Sequence, residues 1–115
     1  MTSSSKDLFS LVVYVPIDSA DHVKQAMFNA GAGKIGLYEA CCWEVEGVGQ
    51  FRPLQGSDPT IGEHGEITRV PELRVELVCE SHCLEEVIAA LRASHPYEKP
   101  AYHYFRVNNV YACET

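Results

Sequence analysis

Residues 95–100, His-Pro-Tyr-Glu-Lys-Pro, carry the side chains best suited to chemistry in this sequence. An imidazole and a carboxylate close together can bind a divalent cation or transfer a proton. The two prolines hold the segment extended, so His95, Tyr97 and Glu98 become candidate ligand-binding residues, and His95 and Glu98 candidate metal ligands. The simpler interpretation is a connector in which His95 ends a helix, and spacing alone favours it.

A second candidate site is the glycine-rich segment 31–36, which fits Gly-x-Gly-x-x-Gly by letters. A dinucleotide site needs a strand before this motif and a helix after it, whereas here the helix comes first. We therefore reject dinucleotide binding and expect the glycines to end a helix and form a tight turn. Such a turn can also hold an anion, which makes Gly31, Gly33, Lys34 and Gly36 candidate ligand-binding residues.

The cysteine spacings do not match a disulfide framework or a metal-binding motif. The chain has five cysteines and no Cys-x-x-Cys pair. We expect Cys41, Cys42, Cys79 and Cys113 to be packing residues, with Cys41 and Cys42 on opposite faces of one strand. A spacing of Cys79-x-x-His82-Cys83 is only a weak metal pattern. No nucleophile elbow or phosphate loop occurs, so we expect a protein that is not an enzyme and has no firmly implied cofactor, a divalent metal ion being the one candidate.

Composition and charge limit the class of partner. The 115 residues carry a net charge of −7, from 9 basic and 16 acidic residues. The basic residues are scattered, which is atypical of a nucleic-acid-binding protein. No apolar run approaches the roughly 20 residues of a membrane span. The polar start lacks a secretory pattern, so we expect a cytoplasmic protein with reduced thiols.

Apolar patterning predicts one domain over residues 1–115, with a frayed start at 1–7 and a hairpin insertion at 47–70. Period-two and β-branched runs predict strands, and apolar spacing of three and four predicts helices. In chain order these are a strand at 8–15, a helix from Asp18 or Ser19 to Ala30, a strand at 38–45, a short returning ribbon at 50–54, a strand from 73, a helix from Ser81 to Ser94 and a strand at 102–110.

This order predicts an α+β fold of the ferredoxin-like split βαβ type, with an antiparallel sheet and two helices on one face. The other face then carries Trp43, aromatic residues of the last strand and part of the insertion. Because an apolar sheet face is usually covered by a partner, we expect self-association.

Several motifs resemble those of a known family. They are the segments 30–38, 42–43, 47–53, 61–63, 72–76 and 95–98, in the same order as in the PII-like insert domain of YqfO proteins, within the family of NGG-interacting factors. The resemblance covers about residues 11–107. The segment 95–100 is also similar to the corresponding motif of CutA, a protein linked to divalent-cation tolerance. Both resemblances imply a ferredoxin-like fold that assembles, typically as a trimer.

Full-length YqfO proteins carry this insert within a larger core whose His and Glu residues hold two metals. The resemblance covers the insert alone, so we expect the family's hydrolase or cyclohydrolase label not to extend to this chain. Three hypotheses remain open. The first is a homotrimeric module that binds a small anionic ligand or a metal between subunits; the second is a CutA-like divalent-cation binder; the third is a protein-interaction module that docks through residues 47–66.

Overall fold

The fold was determined as a computed structural model that describes residues 7–112. It contains four strands, two helices and one short 3₁₀ turn at 17–19. The strands are β1 (Leu8–Pro16), β2 (Trp43–Phe51), β3 (Thr68–Glu80) and β4 (Tyr102–Val107), and the helices are α1 (Ala20–Asn29) and α2 (Ser81–Ser94).

The strands form one antiparallel sheet in the order β2-β3-β1-β4. Strand β1 lies between β3 and β4, with Leu8 opposite both Glu80 and Val107. Both helices contribute to one core with alternate residues of β1 and β3, so they lie on the same face of the sheet. The predicted α+β fold with two helices on one face is confirmed.

The core follows the apolar periodicity of the sequence. Leu11, Val13 and Val15 of β1 are fully buried, and they point to the same face because strand side chains alternate. They pack against α1 and α2 through Val23, Met27, Val87 and Leu91. At the sheet edge, Lys24 of α1 donates to Glu44 of β2 at 2.7 Å, which ties this helix to the outer strand.

Residues at both ends of the predicted hairpin insertion, 47–51 and 68–70, extend the sheet, and the rest of it forms a loop. Strand β2 runs to Phe51, which pairs with Thr68, so the ribbon predicted at 50–54 does not fold back on itself. Strand β3 begins at Thr68 instead of residue 73, and the loop is limited to residues 52–67. Beyond Glu72, which pairs with Pro16, the β2–β3 hairpin projects past β1 as a two-stranded arm.

Other predicted boundaries shift for local reasons. The strand predicted at 38–45 begins only at Trp43, because Tyr38 closes a tight turn with Ile35. Strand β4 ends at Val107, where a turn begins at Asn108. The predicted helix starts are nearly correct, but neither cap residue makes a side-chain capping hydrogen bond, and Ser81 is the first helical residue of α2.

Only Asp7 of the start predicted to be frayed lies within the described residues. Its carbonyl accepts a hydrogen bond from the Ser81 N–H at 2.9 Å, and its carboxylate lies 3.4 Å from Arg106. None of the helices among residues 7–112 combines the length and apolar character that a membrane-spanning helix needs.

The face of the sheet away from the helices is termed the open face; it carries Trp43, Val45, Arg74, Glu76, His103 and Phe105, as the strand registers show. Trp43 is 60% exposed and Phe105 is 51% exposed. The prediction that Trp43 and an aromatic residue of the last strand lie on this face is correct.

Candidate functional site

The segment from His95 to Ala101, termed the connector, joins α2 to β4 along one end of the sheet. His95 ends α2, since its N–H still bonds to the Leu91 carbonyl while its own backbone is extended. Proline at the next position excludes helical geometry at His95, which is why the helix ends there. At the far end, the Ala101 carbonyl accepts a hydrogen bond from the Tyr14 N–H and so fixes the connector to β1.

The His95 ring is buried and uses both nitrogens within the chain. Nδ1 lies 3.2 Å from the Tyr97 N–H, which can only donate, so Nδ1 is the acceptor. Nε2 therefore carries the proton and donates to the Tyr14 carbonyl at 2.7 Å. Burial lowers the pKa of His95 below its ordinary 6.5, although the Tyr14 carbonyl and Glu72 act in the opposite direction. The geometry favours a neutral imidazole that holds the connector in place.

This arrangement predicts a pH-dependent contribution of His95 to stability. The folded protein binds the proton on His95 more weakly than the unfolded chain does, so the free energy of unfolding decreases as the pH falls below 6.5. His95→Gln should cost about 1 kcal/mol at neutral pH and remove this component. Urea denaturation between about pH 7.5 and about pH 5.5 should show the gap between wild type and variant closing with acidity.

The matched control for that measurement is His22→Gln, because His22 is an exposed histidine in the first turn of α1. This surface substitution should change the free energy of unfolding by no more than about 0.5 kcal/mol at either end of the pH range. A gap between wild type and His95→Gln that stays constant over the whole range would contradict the neutral-imidazole assignment.

Tyr97 reaches from the connector to a carboxylate on the β2–β3 arm. Its hydroxyl donates to Glu72 Oε2 at 2.7 Å. Burial, followed by the Glu72 carboxylate, raises the pKa of Tyr97 above its ordinary 10, so the phenol remains a donor at neutral pH. Its ring also packs on His95 at 5.0 Å and on Phe51 at 5.9 Å between centroids. Tyr97 thus joins the connector, β2 and β3.

Glu72 has room only because residue 49 is glycine. The side chain is 8% exposed, and a Cβ on Gly49 would collide with its carboxylate. A Cβ added to Gly47, two residues earlier on the same face, would meet open space. Gly49 therefore provides the cradle in which the buried carboxylate lies.

The loop 52–67 is fastened to the connector by two hydrogen bonds. Thr60 Oγ1 donates to the Pro96 carbonyl at 2.8 Å, and the Asp58 N–H donates to Glu98 Oε1 at 2.9 Å. Within the loop, His64 Nε2 lies 2.8 Å from the Ser57 carbonyl. Residues separated by some forty positions in sequence thus form one continuous wall.

Between the arm, the loop and the connector lies a groove of about 670 Å³. Its size is within the range typical of small-molecule sites. The apolar part of the lining includes Val45, Phe51, Leu54, Ile61 and the rings of Tyr14 and Tyr97. The charged lining residues are Arg52, Glu72, Arg74, Glu98 and Lys99. This groove is the candidate functional site.

The structure divides the predicted site residues between two places. Tyr97 and Glu98 line the groove and His95 supports it, whereas Lys34 lines a separate cavity of about 300 Å³ beside α1. In the segment 31–36, the N–H groups of residues 31, 32, 33 and 35 all donate to carbonyls of the chain. An anion at this turn would have to use Lys34 and the remaining N–H groups, so anion binding there stays a prediction.

The predicted metal ligands are engaged in other contacts. Both His95 nitrogens form hydrogen bonds, and Glu98 holds the Asp58 N–H. Among residues 7–112, no group of three or more His, Cys, Asp or Glu side chains is placed to hold a metal ion. Coordination by His95 would therefore require one of its hydrogen bonds to break.

The cysteine predictions are correct in part. Cys79 is buried in the core, and burial raises its pKa to about 11, so the thiol stays protonated. Cys42 is exposed and Cys41 half-buried, and both precede the start of β2 at Trp43; the prediction of packing at Cys42 is wrong. Cys83 is also free, and Cys113 lies outside the described residues.

Sequence reasoning missed Glu72, Gly49 and the loop 52–67 as parts of the site. The one available signal was the pair Gly47 and Gly49 within an otherwise strand-like run, since glycine in a strand often marks a close approach. Which side chain makes that approach depends on strand register, which the sequence did not provide.

Curated relatives identified by sequence bear the name GTP cyclohydrolase 1 type 2 homolog. The Mycobacterium tuberculosis protein is 48% identical over 99 residues, which cover 86% of this chain and 26% of that protein. The Bacillus subtilis protein is 46% identical over 100 residues, which cover 87% and 27% respectively. The chain therefore spans about a quarter of the length of these relatives. No protein-family model matches the chain.

Solved structures of two kinds resemble this chain, a NIF3-related protein and CutA proteins. A Bacillus cereus protein related to NIF3 superposes with a TM-score of 0.79 at 34% identity, over 95% of this chain and 28% of that one. CutA from Xylella fastidiosa superposes with a TM-score of 0.65 at 20% identity, over 89% and 85%. The predicted CutA-like, ferredoxin-like fold is confirmed, and so is the likeness to a NIF3-related protein.

Proposed function

We propose that this chain is a self-associating module that binds a small organic ligand in the groove between the β2–β3 arm, the loop 52–67 and the connector. The groove carries this proposal: about 670 Å³ of mainly apolar surface, with a buried carboxylate and several exposed charges in its lining. Concave apolar sites with a few polar groups are typical of small-molecule binding. The predicted residues Tyr97 and Glu98 belong to this site, with His95 in support.

The open face supports self-association. Trp43, Val45 and Phe105 are all substantially exposed on it, and large apolar patches of this kind mark interaction sites. In the part of the chain that the structure describes, β2 and β4 each pair with one neighbour only, so each leaves an edge available for another chain. Edges β2 and β4 of successive copies could pair head to tail and close into a ring.

A trimer is the assembly that the YqfO and CutA resemblances imply. Val45 and Arg74 line the groove and also lie on the open face, so a subunit packed there would border the ligand. Four free cysteines among the described residues agree with a reducing, cytoplasmic location for such an assembly.

Native mass spectrometry on gently purified protein tests both the self-association and the ligand binding that we propose. A trimer that carries a defined additional mass would support it and give the ligand's mass. A monomer without added mass, and with no ligand-induced thermal shift, would contradict it and favour docking onto a different protein through the arm and loop.

Trp43→Lys should convert the oligomer to monomer at micromolar concentration while the fold is retained. The new ammonium lies opposite Glu76 in the β2–β3 register, so the hairpin tolerates it, but a charge buried in an apolar interface is costly. Sedimentation velocity measures the outcome. Leu37→Lys, at a fully exposed position outside the strands and helices, is the control and should remain oligomeric. A Trp43→Lys protein with unchanged sedimentation would exclude the open face as the interface.

We further propose that the chain corresponds to the YqfO insert domain, and that it binds its ligand without transforming it. The alignment covers about a quarter of each relative, and their shared name describes whole proteins. Divalent-cation binding ranks second, because the CutA likeness concerns the fold and both His95 nitrogens are engaged.

A further inference from the structure

Glu72 stands out among the charged side chains of the groove because it alone is buried. It is 8% exposed, whereas Arg52, Glu98 and Lys99 are exposed. Interactions between exposed charges are weakened by water and salt, while a buried charge acts through a lower effective dielectric constant. The electrostatic preference of the inner groove is therefore set by the Glu72 carboxylate.

Within residues 7–112, only one of the two Glu72 oxygens has a hydrogen-bond partner. Oε2 accepts the Tyr97 hydroxyl, and no ion pair with Glu72 is present among residues 7–112. Arg74, two residues along the same strand face, directs its guanidinium to Glu76 at 3.5 Å. The nearest basic side chain on the strand is thus oriented away from Glu72.

The second oxygen, Oε1, lies at the wall of the groove. Every fully buried side-chain nitrogen or oxygen in the described chain has a hydrogen-bond partner, and Oε1 forms no such bond, so it is not fully buried. It lies against Gly49, which lines the groove together with Glu72 itself. A carboxylate oxygen at the inner wall of an apolar groove is a strong acceptor for a charged donor.

We propose that the ligand of this groove carries an ammonium group, which donates to Glu72 Oε1, on an aromatic or branched apolar body. This inference rests on the proposed function and specifies its ligand class. The body packs on Phe51, Leu54 and Ile61 of the lining. Tyr97 positions the carboxylate by holding Oε2, and Gly49 leaves the space for it.

Three probes of nearly equal shape test the charge preference: benzylamine, benzyl alcohol and benzoate. Isothermal titration of the purified oligomer at neutral pH should show benzylamine binding at least about tenfold more tightly than benzyl alcohol, with no saturable binding of benzoate. Equal or tighter binding of benzoate or benzyl alcohol would overturn the ammonium assignment and leave the groove as a site of another class.

Variants then assign the contact to Glu72. Glu72→Gln keeps the side-chain shape and should weaken benzylamine binding at least about tenfold. Glu80→Gln, on the same face of β3 but outside the groove, should leave it unchanged. Unchanged binding in Glu72→Gln would overturn the proposal.

Tyr97→Phe separates ligand contact from scaffolding. It removes the hydroxyl that positions Oε2 and leaves the charge, so benzylamine should bind about threefold more weakly than to the wild type, a smaller loss than in Glu72→Gln. A loss as large as that of Glu72→Gln would overturn the proposal and assign Glu72 a structural role. If none of the probes saturates the protein, the ammonium inference fails, while the native mass measurement still decides the wider proposal.

Discussion

Gly33→Ala should lower the free energy of unfolding by about 3 kcal/mol, the largest effect of any substitution considered. Gly33 has φ +79, and an added Cβ would lie 2.8 Å from the Cys41 carbonyl oxygen and 2.9 Å from the Phe28 ring. Its N–H also donates to Val78 of β3 at 2.8 Å, so the turn cannot move without breaking this bond. The free-energy cost of the backbone strain and that of the steric collision therefore add.

Gly36→Ala is the matched control, because Gly36 has φ +57 but open space around the added Cβ. It should cost only the left-handed backbone penalty of about 1 kcal/mol. Urea denaturation of both variants measures the difference. Equal losses of unfolding free energy would show that the turn shifts at Gly33 to make room for the added methyl group, and would contradict the predicted collision.

Gly49→Ala should destabilise the protein by about 2 kcal/mol, because the methyl group displaces the Glu72 carboxylate and breaks its bond to Tyr97. Glu72 is flexible at its far end, so the cost arises from the lost charge-assisted hydrogen bond and not from a fixed collision. Gly47→Ala should change stability by no more than about 0.5 kcal/mol, since an added Cβ there meets open space.

A double-mutant cycle identifies the cause. In a Tyr97→Phe background there is no hydroxyl bond to lose, so Gly49→Ala should cost about 1 kcal/mol less than in wild type. Additive effects of the two substitutions would contradict the coupling between Gly49 and Tyr97 through Glu72.

The fold was predictable because its signals are local and repeated. The alternation in β1 and β3 and the spacing of three and four in α1 and α2 each place one apolar face inward. The split βαβ order then limits the possible topologies, and the antiparallel sheet with both helices on one face followed as expected. The boundaries of β2 and β3 were not predictable, because the glycine, glutamate and proline residues at 44–50 and 71 obscure the alternating apolar pattern of a strand pair.

The candidate site was predictable in part. The prolines around Tyr97 and Glu98 marked a rigid connector, and this segment does line the groove. The same reasoning grouped Lys34 and the glycine turn with it in clefts between subunits, and within one chain Lys34 lines a separate cavity beside α1. Residue type can indicate a candidate binding side chain, but it does not specify which segments distant in sequence are in contact in the fold.

The sequence by itself determined the α+β class, the two core faces, the end of α2 before Pro96 and the apolar open face, because each depends on residues close in sequence or on simple periodicity. Only the tertiary structure decided that Gly49 cradles Glu72, that Tyr97 bonds to it, and that the loop 52–67 closes the groove. These contacts join positions some twenty to forty residues apart, and they depend on strand register, where a shift of one residue would turn Glu72 to the opposite face.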